Sequence, residues 1–323
     1  MDPINLDKTL ENVQKVLSAP AYVAGPILVR ENLSPFVNRL TEKETPIRDR
    51  LTRKTGSGLA ASWNVLTAMG VGNAPFAEGT TPTEDATSYV RRSAIYKELG
   101  KTKSITDRML AAGYTFLEQE AEQTEVAMRE VIQDEEQLII TGDANGNPLE
   151  FDGLDSLITT NVTDDNNNAL GFRPDLLEAE IAKILNTYGV RPTAIYCSYQ
   201  MKRAINQYLL GDVRVNINQG TDGLTVGTDA DFYQSMIGKL PIIPTFAVPN
   251  DSATFPGNTV SNIYIVTENA MGQANLYLED LYPLGKVMLD RTGAAMKFMV
   301  TESTVLVLRM EESCAVVQNV RIA

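Results

Sequence analysis

"LIITGDANGNPLEFDGLDSLI", residues 138 to 158, is the stretch on which the fold interpretation depends. Asp143 and the two asparagines that follow it at alternate positions match the first three ligands of an EF-hand loop. The sixth position of such a loop requires glycine but holds Pro148, and the twelfth requires a bidentate glutamate but holds Leu154. The stretch therefore predicts a polar helix stop and turn, punctuated by glycine and proline, and no calcium site.

The composition limits the chemistry that the chain can perform. Among its 323 residues there is no histidine, which removes the usual general base and the commonest zinc ligand. The two cysteines, Cys197 and Cys314, are far apart in apolar surroundings, which predicts two buried thiols and neither a disulfide nor a metal knuckle. We therefore expect no enzyme activity, no catalytic residues, no cofactor and no metal.

The charge balance also restricts the partners. A net charge of -13 argues against a protein that grips phosphates with a basic face, but it is compatible with a container that holds DNA without adhering to it. No apolar run is long enough to span a membrane, and the N-terminus lacks a signal-peptide pattern. The sequence thus predicts a protein made in the cytoplasm with no membrane partner.

The first hundred residues contain a helical pattern and then two extended segments. Apolar residues at helical spacing predict an amphipathic N-terminal helix: Leu6, Leu10, Val13 and Leu17. Between Trp63 and Gly100, two strand-like stretches flank a turn-rich segment, which predicts a long hairpin. Such a hairpin has too little apolar surface to stand alone, so it must fold onto its own domain or lie across another subunit.

The longest helical signal runs from Asp107 to Thr141, with neither glycine nor proline after Tyr114. Its apolar stripe consists of Tyr114, Leu117, Ala121, Thr124, Met128, Val131 and Leu138. A coiled coil is the alternative, but the stripe is interrupted by polar residues and there is only one such segment.

Charge is distributed unevenly around this helix, because the helix is strongly acidic and the segment from Arg91 to Lys103 is basic. Opposite blocks of this kind are often only solvated faces, but they would also steer a hairpin onto the acidic helix of a neighbour. The predicted intersubunit contact residues are Arg91, Arg92, Lys97, Lys101, Lys103, Glu118, Glu122, Glu125 and Glu136.

The second half of the chain predicts a compact α/β unit followed by a β-rich end. "RPDLLEAEIAKILNTYG" and "YQMKRAINQYLLG" are typical of helices, and "RPTAIYCS" between them is typical of a buried strand. A turn-rich loop over 211–232 precedes several strand-like segments. The uninterrupted "VLVL" at 305–308 predicts a strand covered on both faces.

This order of elements resembles the major capsid proteins of tailed bacteriophages, which have the Hong Kong 97-type fold. The stretch "IITGDANGNPLEFDGLDSLI" resembles the segment that ends the spine helix of that family and re-enters its peripheral (P) domain. The resemblance implies an α+β capsid fold with an N-terminal arm over 1–51, an extended E-loop hairpin over 52–103, a P domain with a long spine helix over 104–171, an axial (A) domain over 172–289, and a C-terminal β segment of the P domain over 290–323.

The resemblance also implies a structural function. Pentamers and hexamers would close into an icosahedral head around double-stranded DNA, without sequence-specific contacts, and scaffolding, portal and decoration proteins are expected partners. The protein would be found in the virion capsid after assembly in the host cytoplasm. Some family members form covalent links through a lysine in the hairpin, but this chain has no lysine between Thr55 and Tyr96, so noncovalent stabilisation is expected.

Three alternatives remain. An encapsulin shares the fold but encloses protein cargo. A filament-forming coiled-coil protein fits the long helix but not the α/β unit and the β-rich end. An enzyme that uses paired carboxylates would draw on Glu135/Glu136, Asp164/Asp165 or Glu311/Glu312. Adjacent side chains on a helix or a strand do not face each other, so these pairs are weak evidence for such an enzyme.

Overall fold

The computed structural model describes residues 42–69, 75–81, 84–113, 119–212, 230–291 and 293–322. The chain divides into two compact units, residues 1–41 and 42–323, and only the second contains described residues. The predicted N-terminal helix and most of the predicted loop over 211–232 therefore lie outside the described residues.

The described residues include six α-helices and one short 3-10 helix. The α-helices are α1 (Pro46–Arg50), α2 (Asp107–Gly113), α3 (Gln119–Thr141), α4 (Leu154–Leu157), α5 (Pro174–Tyr188) and α6 (Tyr199–Asp212), and the 3-10 helix is Glu311–Ser313. Helix α5 begins with proline and ends before Gly189, whose φ of 68° is the left-handed conformation of a helix stop. Both helices predicted around the buried strand are thus confirmed. In this part of the chain no helix has the length and apolarity that crossing a membrane requires.

Two larger sheets and two hairpins contain the strands. The first sheet has the order β1 (Thr52–Thr55), β13 (Leu276–Leu289), β14 (Ala295–Leu308) and β4 (Lys97–Thr106). The second has the order β5 (Val162–Asp164), β15 (Ala315–Ile322), β10 (Thr259–Val266), β6 (Ala194–Ser198), β8 (Gly238–Thr245) and β7 (Phe232–Ser235), with β9 (Asn250–Asp251) beside β10. The hairpins are β2 (Ala60–Ala68) with β3 (Ser88–Ile95), and β11 (Asn269–Ala270) with β12 (Gln273–Ala274).

The two strands that the sequence predicted to be buried, β6 and the "VLVL" part of β14, lie in the core. All five residues of β6 are buried, because β10 and β8 flank the strand and helices α5 and α6 cover one face of its sheet. In β14, residues 305–308 are all buried, which confirms that the "VLVL" strand is covered on both faces. The mixture of helices with these largely antiparallel sheets confirms the α+β class.

The predicted domain boundaries do not coincide with the boundaries of the sheets. Strand β13 falls within the predicted A domain, yet it pairs with β14 and lies in the same sheet as β4. Strand β15 falls within the predicted C-terminal P segment, yet it pairs with β10. The domain assignment stays a prediction, and sheet membership favours boundaries near 275 and 309 over one at 290.

The long helical segment differs in detail from its prediction. Helix α2 covers Asp107–Gly113 and α3 covers Gln119–Thr141, while 114–118 lie outside the described residues. The 23 residues of α3 span about 35 Å at the usual helical rise. Its most buried positions are Ala127, Val131, Glu135, Glu136, Ile139 and Ile140, so the buried face includes two glutamates that the apolar stripe omitted.

The predicted helix stop is confirmed, and its geometry explains the two glycines that enclose it. Helix α3 ends at Thr141, and the Asp143 carboxylate accepts the backbone N–H of Asn145 at 2.9 Å, as in an Asx turn. The N–H of Gly153 donates to the carbonyl of Gly142 at 2.8 Å and so closes the loop. A Cβ on Gly153 would lie 2.5 Å from the Leu138 carbonyl oxygen, so the loop closes by backbone contact that excludes a side chain.

Replacing Gly153 with alanine should lower the free energy of unfolding by about 1–3 kcal/mol, because the added methyl group forces the two backbone segments apart. Urea unfolding of the purified subunit measures the change. The matched control is Gly285→Ala in β13, whose Cβ would meet its nearest atom, the Pro283 carbonyl oxygen, at 3.7 Å and fits without strain. Equal losses in the two variants would show that the close approach at Gly153 does not limit the residue there.

Candidate functional site

The hairpin of β2 and β3 has two faces of different character. Leu66 lies opposite Tyr89 in the antiparallel register, and the next positions along β3 on the same side are Arg91, Ser93 and Ile95. These residues form the outer face of the hairpin, on which Tyr89 is 67% exposed and Ile95 is 63% exposed. Exposed apolar side chains on a strand face are typical of a surface that binds another protein. On the opposite face of these two strands only Val90, at 47%, is a large apolar residue of similar exposure.

The inner face of the hairpin is attached to its own subunit. Ala61 and Val65 are buried, and the indole N–H of Trp63 donates to the Arg309 carbonyl at 3.3 Å. Opposite Trp63, the guanidinium of Arg92 pairs with Glu312 at 2.8 Å. A cavity of about 600 Å³ lies beside these residues. The hairpin base is therefore fixed, while its outer face stays exposed.

Strand alternation separates residues that the sequence had grouped into one basic segment. Arg91 is exposed on the outer face, whereas Arg92 points to the inner face and is held by Glu312. The hairpin ends at Ile95, and β4 begins at Lys97 as an edge strand of the first sheet. The three predicted lysines therefore belong to that sheet and not to the hairpin.

These lysines pair with groups of their own subunit. Lys97, Lys101 and Lys103 occupy alternate positions of β4, so all three point to the side on which β4 packs against α3. Lys101 pairs with Asp134 at 2.6 Å, Lys103 pairs with Glu130 at 2.7 Å, and Lys97 donates to the Pro148 carbonyl. The attraction between basic and acidic blocks is thus real, and the structure shows it within one subunit.

The predicted acidic residues occupy different environments. Glu125 is exposed and pairs with Arg129 one turn away at 3.3 Å, Glu122 is half-buried, and Glu118 lies outside the described residues. Glu136 is fully buried and accepts hydrogen bonds from the backbone N–H groups of Ile47 and Arg48 and from the Thr245 hydroxyl. A neighbouring subunit cannot reach the Glu136 carboxylate in this conformation.

Glu136 acts as a cap for a helix far away in sequence. Helix α1 has no side-chain cap of its own at Thr45, and the Glu136 carboxylate receives the amides of its second and third residues. Burial raises the pKa of Glu136 above its usual value, although the three hydrogen bonds oppose that shift. The carboxylate therefore joins α1 to α3 through backbone groups.

Glu135 joins the same two segments through side chains. Its carboxylate is fully buried and pairs with Arg48 of α1 and with Arg53 of β1. Arg53 also binds Asp280 of β13, with 2.9 Å between Nη1 and Oδ2. This buried ion-pair cluster connects α1, β1, α3 and β13.

Sequence reasoning missed the cluster, although a signal was present. Two consecutive glutamates interrupt the apolar pattern of the helix, and three arginines crowd the segment "IRDRLTRK" at 47–54. The arginine outside the cluster, Arg50, makes a two-bond contact with Glu268 at 2.8 and 2.9 Å, and Glu268 also accepts a hydrogen bond from the Tyr196 hydroxyl. Acidic residues within an apolar stripe, together with basic residues elsewhere in the chain, were the available indication of a buried ion-pair cluster.

The two cysteines are poorly suited to nucleophilic chemistry. Cys197 and Cys314 are both buried, as predicted, and burial raises the pKa of the Cys197 thiol to about 12 and that of Cys314 to about 11. A thiol in that state is a poor nucleophile. Within the described ranges, no group of three or more His, Cys, Asp and Glu side chains could hold a metal ion.

One family model matches most of the chain. The family model of the SU10 major capsid protein matches residues 7–321. A search of curated proteins found no match.

Several solved structures share the fold at low sequence identity. The capsid of a native GTA particle matches with a TM-score of 0.69 and 10% identity, covering 95% of this chain and 98% of that chain. The capsid of cyanophage A-1(L) matches with a TM-score of 0.66 and 12% identity, covering 92% and 98%. The holo-SrpI encapsulin complex from Synechococcus elongatus matches with a TM-score of 0.64 and 12% identity, covering 100% and 98%. These likenesses confirm the predicted Hong Kong 97-type capsid fold.

Replacing Glu135 with glutamine should lower the free energy of unfolding by about 3–5 kcal/mol, because Arg48 and Arg53 would lose a buried counter-charge. Chemical denaturation of the subunit measures the loss. Glu125→Gln is the control on the same helix, because it removes an exposed pair with Arg129 that contributes about 0.5 kcal/mol or less. Losses of similar size in both variants would contradict the role assigned to the buried cluster.

Proposed function

The chain belongs to the SU10 major capsid protein family, and from that premise we propose that its copies form pentamers and hexamers that close into an icosahedral phage head around double-stranded DNA. The role of the protein is structural, and the capsid is built from multiple copies in the virion. The proposal adds three features to this role: capsomers that are pentamers and hexamers, an icosahedral shell, and DNA enclosed within it.

The observation that carries the proposal is the outer face of the β2–β3 hairpin. Its base is fixed to the subunit by Trp63 and Arg92, while Tyr89, Leu66 and Ile95 are exposed on the opposite face. Burying large apolar side chains contributes roughly 1.5–3 kcal/mol each. A neighbouring subunit is the natural cover for this face, since a capsid places copies of one chain side by side.

The charged residues suggest how the hairpin is directed. Arg91 lies on the outer face, and Glu122 and Glu125 lie near the start of α3, away from the lysines of β4. We assign the intersubunit attraction first to Arg91, with its acidic partners on a neighbour drawn from the predicted residues Glu118, Glu122 and Glu125. Glu125 already pairs with Arg129 of its own helix and would exchange that pair. Arg92, Lys97, Lys101 and Lys103 would first have to leave their partners within the subunit.

The net negative charge supports a shell that encloses nucleic acid without binding it tightly. With a net charge of -13, the wall of the shell would repel phosphates more than bind them. DNA would then be held by enclosure, with no sequence-specific contact. Scaffolding, portal and decoration proteins are proposed partners, and assembly in the host cytoplasm is part of the same proposal.

Encapsulin is the second candidate, because the SrpI encapsulin structure shares the fold over the whole length of this chain. At 12% identity that likeness reports the fold alone. The family match to a major capsid protein favours the phage head.

Electron microscopy of particles purified from a producing culture, combined with sedimentation, tests the proposal. We expect closed icosahedral shells that contain DNA. Small uniform shells filled with protein would support the encapsulin alternative. Subunits that remain monomers or dimers, even in the presence of co-expressed scaffolding protein, would overturn the assembly proposal itself.

Replacing Tyr89 with glutamate should abolish shell formation while the subunit remains folded, because a charge would be placed in the proposed apolar contact. Sedimentation measures assembly, and circular dichroism with urea unfolding measures the fold. Leu170→Glu is the control, since Leu170 is an apolar loop residue of similar exposure, 75%, outside the hairpin. Normal shells from Tyr89→Glu would remove the outer face from the interface.

A further inference from the structure

Glu302 is a buried carboxyl group without a hydrogen-bond partner. It lies on β14, where it is opposite Leu99 of β4, and it has 0% exposure. Among the described residues, neither of its side-chain oxygens makes a hydrogen bond. The nearest cation is Arg53, whose Nη1 is 3.9 Å from Oε2 of Glu302. A carboxylate isolated in this way would be costly to bury.

Arg53 makes no hydrogen bond with Glu302, because its two terminal nitrogens are directed to other carboxylates. Its Nη1 binds both oxygens of Asp280, at 3.0 and 2.9 Å, and its Nη2 binds Glu135. Arg48, the other arginine of the cluster, also binds Glu135. The Asp280 carboxylate is further fixed by the Thr304 hydroxyl at 2.8 Å. These hydrogen bonds therefore hold the two arginines on Glu135 and Asp280, and they leave Glu302 without a hydrogen-bonded counter-charge.

The charges of the cluster leave one carboxyl group without a counter-ion, and Glu302 is the carboxyl group whose oxygens accept no hydrogen bond. Arg48 of α1 and Arg53 of β1 balance Glu135 of α3 and Asp280 of β13, so the cluster is neutral when Glu302 carries a proton. Ionisation would leave one buried negative charge without a counter-ion, which destabilises the packed arrangement. Burial and then the Glu135 charge raise the pKa of Glu302 to about 7, against the opposing effect of Arg53 and Arg48.

We propose that this cluster is a proton-binding site, in which Glu302 holds a proton while α1, β1 and α3 are packed on the first sheet and releases it when that joint opens. No such site follows from the capsid role, and the site would exist whether or not the shell encloses DNA. The ligand is the proton itself, because the cluster lacks one positive charge and has a carboxyl group with both oxygens unpaired.

The proposal fixes the direction of the pH dependence. In the opened or unfolded chain Glu302 has an ordinary pKa, near 4.5, whereas packing raises that pKa to about 7. Between these values the packed state binds one proton more than the open state, so its stability falls as the pH rises. The stabilisation is complete below the ordinary pKa and is lost above the raised one. One proton changes the opening equilibrium by about tenfold per pH unit in this window.

Urea unfolding of the full-length subunit from about pH 4.5 to about pH 8 tests the proposal, with the wild type compared with Glu302→Gln. Glutamine has nearly the same shape but does not ionise. The ratio of the two unfolding constants should change by up to about tenfold per pH unit between about pH 5 and about pH 7, then level off. Glu98→Gln, which changes an exposed carboxyl group on β4, should retain the wild-type slope. Equal slopes for wild type and Glu302→Gln would overturn the proposal.

A second measurement on the wild type keeps the proposal falsifiable if Glu302→Gln fails to fold. Carboxyl carbon resonances of a subunit labelled with 13C-glutamate should include one that titrates near neutral pH, and comparison with Glu135→Gln and Glu136→Gln separates it from the other two buried glutamates of the joint. If no such resonance other than those of Glu135 and Glu136 titrates above about pH 6, Glu302 does not hold a proton. Neither measurement requires shells or DNA, so failure here is distinct from failure of the capsid proposal.

Discussion

Two consecutive buried glutamates on α3 hold the subunit together at the junction of its elements. Glu135 binds Arg48 and Arg53, and Glu136 receives two backbone amides of α1 and the hydroxyl of Thr245. Neighbouring helical residues point about 100° apart, so one glutamate reaches arginine side chains while the other reaches the helix end. Buried ionic groups are demanding because removing either partner leaves an unsatisfied charge. The junction therefore requires α1, β1 and α3 to pack together as a unit.

Most elements of the fold were predictable because their signals are local. The two helices around β6, the hairpin of β2 and β3, and the stop at Gly142 each follow from short-range periodicity or turn chemistry. The sheet partners of β13 and β15 were not predictable, because pairing across a long stretch of chain leaves no mark in either strand alone. The dual use of Glu135 and Glu136 was missed because the polar interruption of the stripe was taken only as evidence against a coiled coil.

The site was predicted less well than the fold, for a related reason. The sequence showed a basic segment and an acidic helix, but it could not show where the hairpin ends and β4 begins. Within β4, alternation directs three lysines toward α3 of the same subunit. Within β3, alternation assigns Arg91 and Arg92 to opposite faces. The basic and acidic blocks pair within one subunit, so the predicted contact between subunits stays a prediction, and strand geometry determines which residues are exposed.

The positions of β14 and β15 have a consequence for biosynthesis. Both strands follow their sheet partners in sequence, yet each occupies an interior position, β14 between β13 and β4, and β15 between β5 and β10. Neither sheet can be completed while a ribosome is still translating these residues. A nascent chain therefore has two incomplete sheets, even when the β2–β3 hairpin has already left the ribosome. In a capsid protein built from many copies, a chain that still lacks β14 and β15 has neither of its two larger sheets complete.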